Sequence, residues 1–387
     1  MRFFALICVC LFLPLPSFAA CGGNFISFVN SLEDEAQSIG YQPDLTQRFF
    51  ANVRQDPKVL KADRAQGVFQ KPFVEFSRRL ISQQRLNKGR DLGQRYDSVF
   101  KRIEQEYGVD RGVLLAFWAF ETDYGAFQGN FNTLNALITL SHDCRRPDLF
   151  RPQVFAALEL FRRGEFDPQR TTGAWAGEIG MVQMLPGDIL ENGVDGDGDG
   201  HVRLKSSATD ALVSAGKMLQ HFGWSRNQPW LQEVRVPDTM DWSNSGLATQ
   251  MHTQDWAQLG ITPRSGQLPD LPASLILPQG HKGPAFLAYP NFRVYFEWNQ
   301  SFTYVLTAAY FATRIEGANR YDERQPDTGL SGDQMKQLQR KLKSMGHDVG
   351  KIDGILGART RAAVQIEQAK RGMPADAWPT PDFLKRL

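Results

Sequence analysis

The chain has 387 residues, 44 basic and 42 acidic side chains, 42% hydrophobic and 22% charged content. That length predicts two or three domains with enough apolar material for a sizeable core. The near balance of charge leaves no field that would steer a polyanion, so no nucleic-acid partner is indicated.

The first element is a leader. Arg2 precedes the apolar run Phe3 to Leu15 and the small-residue stretch Ser17, Phe18, Ala19, Ala20. Residues 1–20 therefore read as a secretory signal peptide. The apolar run is too short to span a bilayer and no stop-transfer segment follows, so no transmembrane span is expected in the mature form. A periplasmic location follows from export. Cleavage after Ala20 leaves Cys21 at or near the new N-terminus. A lipid anchor there is the alternative, although Phe18 stands where such signals usually carry a Leu-like residue. Cys8 and Cys10 leave with the leader, and Cys21 and Cys144 remain. In an oxidising compartment this pair reads as one disulfide, with two free buried thiols as the alternative. Nothing around them suggests a zinc site or a nucleophilic thiol.

From Phe25 to Gln220 apolar residues recur at three and four, the pattern of helices. Between about 234 and 298 prolines punctuate short β-prone runs, such as Leu275 to Leu277 and Val294 to Trp298, which predicts a small partly β subdomain. A helix resumes through Ser301 to Ile315. Residues 321–329 are polar and turn-rich, a linker. In the final module, 330–387, Ser331 and Gln334 form a capping-box signature, and Met335, Leu338, Leu342 and Met345 line one helix face. Asp353, Gly354 and Gly357 mark tight turns before a second amphipathic helix carrying Thr360, Ala363, Val364 and Ile366. The expected class is mainly α (α+β): a helical core of 21–320 with a β-containing subdomain, plus a small three-helix domain.

One carboxylate stands out. In DRGVLLAFWAFETDYG, Asp110 is the expected N-cap and Gly125 lies just past the helix end. Glu121 falls four residues after Phe117, three after Trp118 and seven after Leu114, so it shares the apolar face and points inward. Apolar surroundings and the negative end of a helix both disfavour the anion, which suits a group that delivers a proton near neutral pH. The plainer reading is a glutamate that reaches water or pairs with an arginine. Asp123 projects from another face and is a poor second carboxylate for the same site.

The motifs then resemble the lytic murein transglycosylases of the membrane-bound lytic transglycosylase B type. The likeness is carried by FETDYG, by Leu134, Ala136, Leu137 and Leu140, and by GAWAGEIGMVQMLP at Gly173 to Pro186. It continues through VDGDGDGH at Val194 to His201, Gly223-Trp224 and FEWNQSFTY at Phe296 to Tyr304, spanning roughly Phe25 to Gly317. The resemblance implies a lysozyme-like helical core and Glu121 as the single catalytic carboxylate. It implies cleavage of the MurNAc-GlcNAc bond of peptidoglycan without water, giving 1,6-anhydromuramyl ends. Gln183 matches the family's active-site glutamine, and Trp298, Asn299 and Tyr304 fall where saccharide-groove residues lie. The substrate's acetamido oxygen and C6 hydroxyl would replace a second carboxylate and a water. The alternatives are a muramidase that uses water and a non-catalytic wall-binding scaffold. There are departures: Glu178 replaces a small residue and either faces the groove or solvent, and Trp298 replaces a usual Tyr.

Asp195, Asp197 and Asp199 alternate with glycines like the first half of an EF-hand loop. His201 would add its carbonyl and Asp210 a distal carboxylate, although Asp210 comes later than in a twelve-residue loop. Structural calcium, sodium or an empty structured turn are the readings of this loop, and no cofactor is expected to be required. The final module resembles a peptidoglycan-binding type 1 domain through LQRKL, KIDGILGART and AVQIEQ, where a usual phenylalanine becomes Ile366 or Glu367. Peptidoglycan strands are thus the expected partner.

Overall fold

The computed structural model describes residues 21–65 and 71–387. The leader expected at 1–20 lies outside the described residues. The chain divides into two compact units: one takes the residues up to Arg64 with Gly129–Glu178 and Leu185–Leu190, the other Ala65–Gln128, Ile179–Met184 and Glu191–Leu387.

In the first unit, helices Phe25–Ser38, Pro43–Phe50, Pro57–Arg64, Thr133–His142 and Pro147–Arg162 bury Leu32, Phe49, Val59, Leu137, Phe150 and Leu158. Asn24 and Asn132 cap two of them, each accepting a backbone N–H three residues on. A short antiparallel pair, Phe131–Asn132 with Thr172–Gly173, closes the unit. Cys21 and Cys144 form a disulfide across 123 residues. A sulfur engaged in a disulfide cannot carry a thioether lipid, so this pairing speaks against the anchor considered for Cys21.

The second unit is built on helix Arg111–Thr122, which packs against Phe302–Ile315, while Asp97–Tyr107 packs against Ala208–His221. Gly112 permits the first contact. A Cβ there would stand 2.7 Å from Glu316 Oε1 and 2.8 Å from Ala312 O. Its bare backbone N–H instead donates to Glu316 Oε1 at 2.8 Å. Asp110 occupies the expected N-cap position but makes no side-chain cap bond.

A five-stranded antiparallel sheet runs in the order Met251–His252, Pro272–Ile276, Phe286–Ala288, Leu231–Arg235, Thr262–Pro263. It buries Val234, Trp242, Trp256, Leu275, Leu287 and Tyr289. The run Val294 to Trp298, expected as β-prone, is the second half of helix Pro290–Trp298. Pro290 in the first turn and burial of Asn291, Phe292, Val294 and Tyr295 on consecutive turns override the β propensity of its aromatics.

The C-terminal helices Gly332–Ser344, Ala358–Lys370 and Pro381–Arg386 close over Met335, Leu338, Leu342, Val364 and Phe383. The capping box of Ser331 and Gln334 is present. Ile366, expected on the buried face, is 47% exposed. Glu367 is buried instead, paired with His347 at 2.8 Å, Lys370 at 2.7 Å and Arg371.

The disulfide closes the longest covalent loop among the described residues, and its loss is expected to destabilise the fold by about 2–5 kcal/mol. Urea unfolding of Cys144→Ser against the oxidised parent should show the difference, and coincident midpoints would refute it.

Candidate active site

Glu121 lies in the last turn of helix Arg111–Thr122. The helix ends three residues before the glycine expected to stop it, because Asp123 already adopts a left-handed conformation, followed by Tyr124 and Gly125 at φ 50°, 61° and 84°. Three such residues in a row need external support, and each has it. The Asp123 carboxylate meets Arg85 Nε at 3.1 Å and Lys88 Nζ at 3.8 Å. The Tyr124 hydroxyl donates to Arg85 O at 2.9 Å. Gly125 N–H donates to Thr122 Oγ1 at 2.8 Å. Asp123 is thereby committed elsewhere, as its helical position suggested.

The Glu121 side chain is half-buried. Its Oε1 accepts two hydrogen bonds from distant parts of the chain: the Tyr304 hydroxyl at 2.5 Å and Trp298 Nε1–H at 3.1 Å. Tyr304 is buried, and burial, then the charge of Glu121, pushes its phenol far above the ordinary tyrosine range. It stays protonated and donates to Glu121 Oε1. The Trp298 ring lies parallel to Phe117, centroids 4.2 Å apart, and Phe117 is one turn before Glu121 on the same helix. One helix face thus supplies both the carboxylate and the platform that aims the indole at it. Trp298 ends helix Pro290–Trp298. Asn299 follows in extended backbone, its Oδ1 accepting Ser301 N–H at 2.9 Å, and Ser301 caps helix Phe302–Ile315, which presents Tyr304.

Gln183 does not touch Glu121 through any of these bonds; it is joined to it through the backbone. Thr122 Oγ1 donates to Met181 O at 2.6 Å, tying the residue after Glu121 to the Gln183 turn. That turn is closed by paired bonds between Ile179 and Met184, with Gln183 at φ 55°. The Gln183 side-chain amide donates to Gly180 O at 2.8 Å and Gln128 O at 3.4 Å. Gly180 has no room for a side chain, since a Cβ would fall 2.5 Å from that of Leu204. Met181 N–H donates to Leu204 O, and Gln128 Nε2 donates to Gly125 O and Lys205 O.

Residues 204 and 205 follow directly from the acidic loop. There Asp195, Asp197 and Asp210 bring one carboxylate oxygen each within 4.8 Å of the others. Asp210 is fully buried and accepts N–H bonds from Gly196, Asp197 and Arg203. Asp199 turns aside to Arg203 Nη1 at 2.7 Å, and His201 N–H donates to Asp199 Oδ1. Glu178, in the first unit, does not face solvent. Its Oε2 is buried with no hydrogen-bond partner, and burial pushes its carboxyl up.

Thr122, Phe117 and Gln128 escaped the sequence reading as structural partners of the site. Phe117 had a signal, its position four before Glu121; the other two act through bonds that only the folded chain defines.

A half-buried carboxylate with phenol and indole donors, in a helical body, defines a site of general acid–base type. A profile for the Transglycosylase SLT domain matches residues 24–313 and one for a peptidoglycan binding domain matches residues 331–387. The Membrane-bound lytic murein transglycosylase B of Escherichia coli (strain K12) is 26% identical over 236 residues, covering 60% of this chain and 64% of that protein. SltB3 from Pseudomonas aeruginosa, solved in complex with NAG-anhNAM-pentapeptide, is 35% identical with a TM-score of 0.86, covering 94% of this chain and 99% of that one. The Escherichia coli lytic transglycosylase Slt35, solved in complex with calcium, shares the fold at 23% identity and a TM-score of 0.65, over 77% of this chain and 96% of that one. The chain belongs to the SLT-domain transglycosylase family, with the lysozyme-like helical fold and a C-terminal peptidoglycan-binding domain.

Thr122→Val keeps the side-chain shape and leaves Met181 O and Gly125 N–H without their partner. A loss of about 1–3 kcal/mol is expected in urea unfolding, and an unchanged midpoint would show that this link carries no weight.

Proposed function

We propose that this protein is a lytic transglycosylase of peptidoglycan, cleaving the β-1,4 bond between MurNAc and GlcNAc without water. The observation that carries this reading is the pair of donors on one oxygen of a single carboxylate. Both donors meet Oε1 of Glu121, the group that carries the proton to be delivered. Protonated Glu121 gives that proton to the glycosidic oxygen as the C1–O4 bond breaks. The substrate's acetamido oxygen stabilises the cationic C1. Glu121, now a carboxylate held by Tyr304 and Trp298, takes the proton of the muramyl C6 hydroxyl as the C1–O6 bond forms. The acid is regenerated and the product end is 1,6-anhydromuramyl. Tyr304 cannot serve as the base, because its phenol stays protonated. Asp123 cannot serve as a nucleophile, because Arg85 and Lys88 hold it.

Trp298 also gives aromatic surface for sugar rings, and the amides of Gln183 and Asn299 suit their polar substituents. The P. aeruginosa relative solved with an anhydro-muramyl peptide supports an anhydro product here. The C-terminal domain holds the chain on the wall and raises local substrate concentration. Work in the periplasm accords with the disulfide, and no described helix is long and apolar enough to cross a membrane.

For the acidic loop, three clustered carboxylates offer the hard oxygen set that calcium takes. Asp195, Asp197 and Asp210 would hold the ion, with the His201 carbonyl and Asp199 as further oxygen sources in the same loop. A bound ion would neutralise their mutual repulsion and stiffen the loop, a structural role; no step of the reaction runs through it.

Two experiments test these assignments. Purified peptidoglycan digested with the enzyme should release muropeptides one water lighter than hydrolytic products, and Glu121→Gln should lower turnover by roughly 10²–10⁴-fold while wall binding persists. Reducing-end products would make the enzyme a muramidase, and undiminished turnover would remove Glu121 from the mechanism. Calcium at about 100 times its dissociation constant should add about 2.7 kcal/mol of stability over chelator-treated protein. Equal melting in calcium, sodium and chelator would leave the loop a plain turn.

A further inference from the structure

The wall-binding domain reaches into the helical body at one side chain. Phe302 is the first residue of the helix that presents Tyr304, directly after its Ser301 cap. Its ring lines a cavity of about 160 Å³ together with Leu247 and Ile276 of the sheet subdomain and Arg361 and Gln365 of helix Ala358–Lys370. The Arg361 guanidinium carbon stands 4.7 Å from the Phe302 ring centroid and 6.0 Å from that of Trp378. Arg361 Nη2 donates to Pro278 O at 2.8 Å, while Nε is buried with no hydrogen-bond partner. Burial pushes the pKa of this arginine down to about 10, which leaves it charged at neutral pH.

The surrounding contacts fix the arginine's helix against the sheet subdomain. Gln365 Nε2 donates to Ser245 O at 2.9 Å and to its own domain's Ala375 O at 3.0 Å. Asp376 Oδ2 accepts the His281 backbone N–H at 3.0 Å and lies 2.6 Å from His281 Nδ1. These bonds would suffice to attach the domain. Arg361 goes further, to an aromatic ring of the helix that bears Tyr304. A half-buried guanidinium that gives one N–H to a carbonyl and its face to a ring is held in place, because moving off the ring would lose both contacts.

We propose that the wall-binding domain supports the active site as well as tethering it: Arg361, by clamping Phe302, is a positioning residue for the Asn299 to Tyr304 segment and so for the donors on Glu121. This rests on the reading of Glu121 as the acid. A pure tether changes how much insoluble wall the enzyme sees, and it leaves turnover of a short soluble glycan untouched. A positioning residue changes turnover itself, since small displacements of catalytic groups carry large rate penalties.

The test uses the full-length chain with Arg361→Ala, Arg361→Lys and Phe302→Leu, all checked for folding by thermal melting. The substrate is a soluble GlcNAc-MurNAc tetrasaccharide carrying its peptides, and pelleting with insoluble peptidoglycan measures wall binding separately. Arg361→Ala is expected to lower kcat on the order of ten- to a hundredfold with KM held within about twofold. Wall pelleting should be unchanged, and Arg361→Lys should recover part of the rate. The acid limb of the kcat–pH profile should also move, because the donors on Glu121 shift. Phe302→Leu should reproduce the kcat loss, and it decides the matter by the same criteria if Arg361→Ala does not fold. Parental kcat in a folded variant, or a rise in KM alone, overturns the proposal. Failure of the underlying reading shows separately, as turnover retained by Glu121→Gln.

Discussion

The site depends on how a carboxylate is kept in an unfavourable place. Glu121 stands at the C-terminal end of a helix, where the last carbonyls present negative charge, and it is only half exposed to water. Two neutral donors, a phenol and an indole, replace the lost hydration on one oxygen. Neither brings a counter-charge. The left-handed turn after the helix serves the same end. It stops the helix at Thr122, whose hydroxyl pins the Gln183 turn.

That constraint reaches backward into the fold. Tyr304 arrives on a helix packed closely against the Glu121 helix, and the closeness relies on Gly112, where any side chain would collide with Glu316 and the Ala312 carbonyl. Trp298 arrives at the end of a neighbouring helix and is aimed by Phe117. A carboxylate, an indole and a phenol separated by 177 and 183 residues along the chain therefore meet because one helix carries two of the requirements and a glycine admits the third.

The parts legible in the sequence were those set by local chemistry. The helical spacing of Glu121 behind Phe117 and Leu114 shows its inward face, Ser331 with Gln334 shows a helix start, and the Asp-Gly alternation shows a tight acidic loop. What escaped was decided by tertiary partners. Val294 to Trp298 has the composition of a strand, yet Pro290 starts a helix whose buried face is Phe292 and Tyr295. Ile366 looked like the core residue of its helix; three basic groups gathered from 347, 370 and 371 make Glu367 the buried one. Trp298 was legible as a sugar-facing aromatic through family likeness. Its bond to Glu121 was not, because no local pattern records a contact made across half the chain.

A half-buried arginine whose Nε is shielded and unpartnered is a costly way to join two domains, since apolar contact and backbone hydrogen bonds would bind them with less desolvation. The gain is direction. Apolar surfaces slide over one another at little cost, but a guanidinium near two aromatic rings, with one N–H on a carbonyl, has a defined resting place. The helix it presses on is the helix that brings Tyr304 to Glu121. One ring contact therefore links a helix of the C-terminal domain to the helix whose Tyr304 donates to Glu121.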